Sequence, residues 1–346
     1  MSSPQRPGTL QGGAPVSLGV EALLESPAWL PLEIMPTESV RLARLTEADY
    51  RAASFLDERI LQAHPLGQSD VRIAAAAAAR LAPSAHFLFH IGHVGSTLLA
   101  RLLGEHPALF VLREPMLLRA AAQGAGGGAA GKLTIAQQVA LLSRTWRPAQ
   151  RALIKTTSFV NEIAAELLAS APDSRALLLY TPALTYLRAI MAGPNSRLET
   201  RALARLRLER LQRRTALALP APGSEGQWVA MSWLCEMTTL AATSARFAAR
   251  VLWMDFEHFL LEPSAHLAAA LSAVAASPDT REIDRVLRGP LMRAYAKAPQ
   301  YAYDPALRRE VLAQADREHR GEIGAGMTWL EQVRTAHPLI AAALAR

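Results

Sequence analysis

Five short apolar runs punctuate the chain: Phe87–Ile91, Leu109–Leu112, Ala152–Ile154, Ala176–Tyr180 and Val251–Met254. Each is bounded by polar or turn residues, and most lead into a segment whose apolar positions recur at helical period. A strand covered on both faces has no polar side to show, so it reads as a continuous apolar run. The alternation predicts an α/β fold with three layers, α/β/α, around a central parallel sheet of about five strands. Residues 18–85 read as helical segments. Leu45–Leu61 in particular mixes apolar and charged positions at helical spacing, which predicts a helical N-terminal extension packed on a main domain spanning 86–346. The polar, turn-rich residues 1–17 predict a disordered tail, and Gly124–Gly131 (GAGGGAAG) a flexible linker or mobile loop. Asp304 and Pro305 form an N-cap and first-turn pair for a helix carrying Leu307, Val311, Leu312 and Ala315 and ending at Gly321.

Charge changes the picture in one place. The formal net charge of the 346 residues is +7, and only three of the 37 basic residues are lysines: Lys132, Lys155 and Lys297. Most of that excess sits on Ser196–Arg214, where seven arginines face Glu199 and Glu209. In a helix there, Arg197, Arg201 and Arg205 form one stripe, with Leu203, Leu206 and Leu211 turned inward. The stripe reads either as a solvated helix face or as an anion-binding surface. Aromatic residues are only 6% of the chain and none interleave the stripe, so nucleic acid is not an expected partner. Composition sets broader bounds. Hydrophobic residues at 51% and charged residues at 19% fit a packed core. The one cysteine, Cys235, excludes an intrachain disulfide and reads as a core thiol. No apolar stretch approaches the ~18–20 residues of a membrane span, and the N-terminus has no apolar signal segment, so the expected location is cytoplasmic.

The chemistry concentrates in FLFHIGHVGSTLLARLLGEHP, Phe87 to Pro107. The order is apolar strand, glycine-containing turn, then helix, with Leu98, Leu99, Leu102 and Leu103 on one helical face. Gly92 and Gly95 permit a tight bend. The backbone N–H groups of Gly95, Ser96 and Thr97 then converge at the positive end of a helix dipole, a phosphate or sulfate site. A Walker A loop places lysine after its last glycine, and here Ser96 follows Gly95, so a Mg-nucleotide hydrolase or kinase is disfavoured.

The G-S-T-L-L core, Gly95 to Leu99, resembles the 5′-phosphosulfate loop of the sulfotransferase family. The strands that follow match in order: LFVLREP (Leu109–Pro115), ALIKTT (Ala152–Thr157), PDSRALLLYTP (Pro172–Pro182) and ARVLWMDFEHFLLEP (Ala249–Pro263). RGEIGAGMTW (Arg320–Trp329) is a faint match to the family's C-terminal glycine loop. The resemblance covers residues 86–275 and implies a P-loop fold with 3′-phosphoadenosine 5′-phosphosulfate as donor. It implies that Gly92, His93, Gly95, Ser96, Thr97, Leu98 and Arg188 hold this donor, and that Glu114 acts as base on the acceptor. Three positions depart from the pattern. His93 stands where the family has lysine or arginine, and Tyr180 and Thr181 stand where its 3′-phosphate motif begins with arginine and aspartate. Arg188 supplies a cation from the following helix instead.

Other readings stand beside this one. Glu114 could pair with Arg113 or Arg119. Lys155, at a strand end on the same sheet edge, serves either an anion and leaving group or a structural ion pair. His93 and Lys155 together would neutralise a leaving phosphate, which makes Glu114, Lys155 and His93 the candidate catalytic set. His86, His90 and His93 lack a carboxylate to complete a metal set, so no metal is expected. Asp255 is a helix cap or a Walker-B-like carboxylate. The function expected is sulfuryl transfer from a nucleotide donor to a hydroxyl or amine of an acceptor that the sequence does not name. The alternatives are a P-loop phosphotransferase and a non-catalytic binding protein. A homodimer is left open.

Overall fold

The computed structural model describes residues 15–123, 133–274, 276–293 and 305–346. The expected tail up to residue 14, the glycine loop at 124–131 and the Asp304 cap lie outside the described residues. Residues 18–85 are not simply helical. Strands β1 (Val16–Ser17), β2 (Trp29–Ile34), β3 (Ser39–Arg44) and β4 (Leu66–Asp70) form a sheet in the order β1-β4-β3-β2, with helices at Val20–Leu24, Glu47–Ala52, Glu58–Ala63 and Val71–Ala79 between and after them. The helical reading of this segment is corrected for a physical reason: β4 is LGQSD, a turn-like composition made into a strand by pairing with β3. Gly67 within it lies under Trp29 and Leu18, 2.8 Å from where a Cβ would sit.

The apolar runs form the second sheet: β5 (His86–His90), β6 (Leu109–Arg113), β7 (Arg151–Lys155), β8 (Ala176–Tyr180) and β9 (Val251–Asp255). They are parallel, in the order β6-β7-β5-β8-β9. Phe87, Leu88, Phe89 and the apolar positions of β7 and β8 are buried on both faces, as a doubly covered sheet requires. The helices that bear on the site are α1 (Ser96–Leu103), α2 (Ala183–Met191), α3 (Pro194–Thr215), α4 (Glu225–Arg246), α5 (Phe256–Leu261), α6 (Pro305–Glu318) and α7 (Arg320–Val333). With right-handed crossovers, the β5-to-β6 step runs one way along the sheet and puts α1 on one face. The later steps run the other way and put their helices on the opposite face. The chain is thus an α/β protein with the expected five-stranded parallel sheet. The direction reverses at β5, so a crevice opens at the carboxyl ends of β5 and its neighbours.

Three buried or half-buried arginines tie backbone carbonyls together. Arg113, at the end of β6, donates to Ala53 O (2.8 Å), Arg51 O (3.0 Å) and Tyr50 O, where the helix Glu47–Ala52 ends. Arg144 reaches Leu23 O, Ser26 O, Trp29 O and Leu141 O. Arg250 holds Leu168 O, Ala171 O and Ser174 O. Burial pulls the pKa of Arg113 and of Arg144 down to about 10, which still leaves both charged near neutrality.

The phase of α3 differs from the expected one. Leu211 faces inward as expected, but Leu206 is exposed and Leu203 only half-buried. The buried face is Thr200, Ala204, Arg207, Leu211 and Thr215, because α4 opposes it with Glu236, which pairs with Arg207. Arg197 and Arg201 both face Glu225 (3.5 and 2.8 Å). In α6, Ala315 is buried while Leu307 and Val311 are exposed. That helix ends at Glu318, and Gly321 lies in α7.

RGEIGAGMTW is helical, not a loop. Of its three glycines, Gly326 serves a helix crossing, while Gly321 and Gly324 have open space: a Cβ on Gly226 of α4 would lie 1.8 Å from Glu322 O, and one on Gly326 2.6 Å from Gly226 O. Gly226→Ala should therefore cost about 1–3 kcal/mol in urea unfolding, with α4 and α7 forced apart. An unchanged midpoint would show that the crossing yields freely.

His86 opens β5 fully buried, its Nδ1 accepting the Arg175 N–H at 3.1 Å. Burial first, and the Arg151 and Arg175 charges second, pull its pKa down to about 4. Unfolded histidine titrates near 6.5, so between these values the unfolded chain takes up the proton more readily. Stability contributed by neutral His86 is complete above pH ~6.5 and is lost as pH falls toward 4, by about 2–4 kcal/mol in all. His86→Asn should flatten that slope in unfolding curves recorded from pH 7 to 4. Among the described residues no helix is long and apolar enough to cross a membrane.

Candidate functional site

The carboxyl ends of β5, β6 and β7 open into a cleft of about 430 Å³. Its first wall is the loop after β5. Gly92 (φ 84°), His93 (φ 54°) and Gly95 (φ 69°) all take left-handed backbone angles, which turns the chain sharply into α1. Gly95 is further constrained by close approach, since a Cβ there would lie 2.0 Å from the Phe256 ring. His90 pins the start of the turn: its Nδ1 accepts the Gly92 N–H at 3.0 Å, and its Nε2 lies 2.8 Å from Thr156 O, placed to donate to it.

The first-turn N–H groups of α1 have no partner within the helix and carry its positive dipole end. Among the described residues the hydroxyls of Thr97, Thr156 and Thr157 are buried without hydrogen-bond partners, and of these three residues Thr157 lines the cleft. Buried polar groups are normally satisfied, so the Thr157 hydroxyl on the cleft wall, with the helix N-terminus, fits an anionic group. Ser96 also lines the cleft, whereas the Leu98 side chain is buried beneath the loop and offers only its backbone.

The second wall joins β6 and β7. Lys155 ends β7 with its side chain 1% exposed, and its ammonium donates to the Glu114 carboxylate. Glu114 is itself left-handed (φ 56°), an uncommon state for a residue with a Cβ. Its N–H donates to Lys155 O at 2.6 Å, so the two residues are locked together by backbone and side chain. Arg119 lies 3.7 Å from the other Glu114 oxygen, while Arg113 is spent on carbonyls elsewhere. The Lys155 ammonium also lies 5.5 Å from the centre of the Phe55 ring.

A third wall comes from the N-terminal segment. The Arg59 guanidinium stacks on Phe55 at 4.4 Å and bonds Asp57, with Nε to Oδ1 at 2.8 Å. Leu56 N–H donates to Arg113 O (2.7 Å) and Met116 N–H to Leu56 O (3.0 Å), which brackets Glu114 on both sides. The fourth wall is α3. His93 faces it, with Nδ1 3.3 Å from Ser196 Oγ and Nε2 3.5 Å from Glu199.

The structure thus gathers Gly92, His93, Ser96, Glu114 and Lys155 around one cleft. Gly95 and Thr97 stand just behind the loop surface. Arg188 is not in the cleft: it lies on α2 and bonds Asp316 of α6 at 2.8 Å. The other matched 3′-phosphate positions also have partners. Thr181 Oγ1 donates to Glu257 at 3.1 Å, Glu257 receives Arg308 on both oxygens (2.6 and 2.7 Å), and Tyr180 meets Trp253 edge to face at 5.6 Å. Asp255 caps α5 through the Glu257 N–H at 2.8 Å.

Sequence reasoning did not find Phe55, Asp57, Arg59 or Arg207. The first three reach the cleft through a distant fold contact that carries no local signal. Arg207 had one: it shares a face with Thr200, Ala204 and Leu211, at spacings of four and three.

No family model and no curated protein sequence matches the chain. Among solved structures it is similar to a mouse sulfotransferase complexed with PAP, at 12% identity and a TM-score of 0.41, over 78% of this chain and 92% of that one. It is also similar to the sulfotransferase domain of a Synechococcus olefin synthase, at 16% identity and 0.38, over 71% and 94% of the respective chains. A Mycobacterium avium sulfotransferase is similar at 11% identity and 0.38, over 86% and 88%.

Proposed function

We propose that the cleft transfers a sulfuryl group from a phosphosulfate nucleotide to a hydroxyl or amine of an acceptor. The observation that carries this reading is the Lys155–Glu114 pair, a cation and a carboxylate held together beside a loop that offers an anion N–H and hydroxyl groups but no lysine of its own. In this reading the backbone of Gly92, Gly95, Ser96, Thr97 and Leu98 holds the donor's 5′-phosphate, and the cleft-lining hydroxyls of Ser96 and Thr157 complete its hydrogen bonds. Glu114 takes the acceptor's proton as the acceptor oxygen or nitrogen bonds to sulfur. The bond from sulfur to the bridging oxygen breaks, and its electron pair stays on the leaving phosphate. Lys155 then turns from Glu114 to that oxygen and offsets the new charge, with His93 as a second donor. The wall of Phe55, Asp57 and Arg59 faces the acceptor.

The residues fit the phosphosulfate end of such a donor better than its 3′-phosphate. A bound donor has to draw Arg188 away from Asp316 or go without it. Titration with adenosine 3′,5′-bisphosphate by calorimetry tests the reading. Binding that needs no Mg²⁺ is expected. No heat at about 1 mM ligand, equivalent to less than ~4 kcal/mol of binding, would sink the standard donor. A Mg²⁺-dependent thermal shift with ATP in its place would favour the phosphotransferase reading.

A further inference from the structure

Helix α3 brings to the cleft a guanidinium that the loop's own sequence does not supply. Arg207 is 6% exposed and lines the cleft. Its Nε donates to Glu236 Oε1 at 2.9 Å and its Nη2 to Ser158 Oγ at 3.3 Å. Among the described residues Nη1 has no hydrogen-bond partner. Ser158 Oγ in turn lies against the loop, 3.5 Å from where a Cβ on Gly92 would stand. The guanidinium therefore ends one hydroxyl away from the first glycine of the turn. Glu236 is tied to the same place by another route: Asn161 Nδ2 donates to Glu236 Oε2 and to His90 O, both at 2.9 Å, and His90 pins the loop. The Asn161 side-chain oxygen, Oδ1, is buried and has no hydrogen-bond partner among the described residues.

A buried arginine–glutamate pair is a poor way to stabilise a core, because desolvation of both ions offsets most of their attraction. Two well-packed apolar side chains would serve stability as well. What the pair does provide is a fixed guanidinium plane on the cleft wall: Glu236 and Ser158 hold two of its three nitrogens, Nε and Nη2, and leave Nη1 without a hydrogen-bond partner among the described residues.

We propose that Arg207 is the loop's missing cation, a binding residue for the sulfate- or phosphate-bearing end of the ligand held at Gly92–Thr97. This rests on the reading of the cleft as an anion site. Glu236 shares the Arg207 charge while the cleft is empty and orients it for the incoming anion. The role is thus one of binding, with Glu236 and Asn161 as positioning residues.

The test is calorimetric titration of inorganic pyrophosphate into the intact chain and three variants, each checked for folding by its thermal transition. Glu236→Gln keeps an oxygen for Arg207 Nε but removes the competing charge, so it should tighten pyrophosphate binding several-fold. The double change Arg207→Met with Glu236→Gln leaves no unpaired ion in the core and should weaken binding by at least about tenfold. Arg207→Lys keeps the charge but loses the fork, and should weaken binding less than the double variant. A purely structural pair predicts unchanged affinity in every variant that folds, and that result overturns the proposal. If the double variant does not fold, the direction of the Glu236→Gln effect decides alone. An intact chain that binds pyrophosphate but not adenosine 3′,5′-bisphosphate removes the donor reading and leaves Arg207 to be judged on its variants. An intact chain that binds neither removes both.

Discussion

Glu114→Gln should lower sulfuryl transfer by about 10²–10⁴-fold, the range that a positioned general base contributes. In barrier terms this is about 3–5 kcal/mol. The amide has the shape of the carboxylate and keeps an oxygen for the Lys155 ammonium, so the wall between β6 and β7 should stand. Donor affinity should then stay within a few-fold, and the loss should fall on turnover. Release of sulfate from the phosphosulfate, with water as the acceptor, gives the readout before any natural acceptor is found. A turnover loss of less than about tenfold would mean that Glu114 serves the Lys155 charge and not the acceptor's proton.

Gly95→Ala should damage both folding and binding. The residue sits at φ 69°, where a Cβ costs about 1–2 kcal/mol, and the new methyl would lie 2.0 Å from the Phe256 ring. Overpacking adds about 1–3 kcal/mol, so urea unfolding should show about 2–5 kcal/mol lost. The two causes can be separated. Phe256→Ala removes the clash and leaves the backbone strain, so the double variant should lose clearly less than the two single losses combined. Additive losses would show that the ring moves aside without cost and that φ alone makes the glycine necessary.

The parallel sheet was legible because burial on both faces writes itself into composition. Ala176–Tyr180 is the same segment in sequence and in structure, and the other four apolar runs each differ from their strands by one residue at one end or at both. The loop was legible because glycines and a helix start are local signals. The N-terminal sheet was not: β4 pairs through its backbone with little apolar patterning, and Gly67 reads as a turn until Trp29 is seen above it. The α3 phase was missed because leucine was assumed to mark the inner face, whereas a buried carboxylate on α4 selects arginine there.

The arginine excess resolves in the same way. Arg113, Arg144 and Arg250 hold carbonyls, and Arg207 and Arg210 are buried on α3. These arginines, the cleft-lining Arg207 apart, are thus interior framework and not a binding surface. Glu114 and Lys155, by contrast, were visible as strand-end residues, but nothing local announces that they touch. That contact follows from β6 and β7 being neighbours in the sheet.

The strand order has a consequence for how the chain is made. β5 is the first strand of its sheet to be synthesised, yet its neighbours are β7 and β8, and β8 is complete only at Tyr180. Ribosomes add about 5–20 residues per second, so the Phe87–Phe89 centre of β5 waits on the order of 5–20 s for its second partner. The loop that follows β5 hangs from that unpaired strand for the same interval. Sticky, half-made sheet is therefore an obligatory stage in the life of each molecule, and the chain should lean on holding chaperones most heavily while residues 90–180 are being translated.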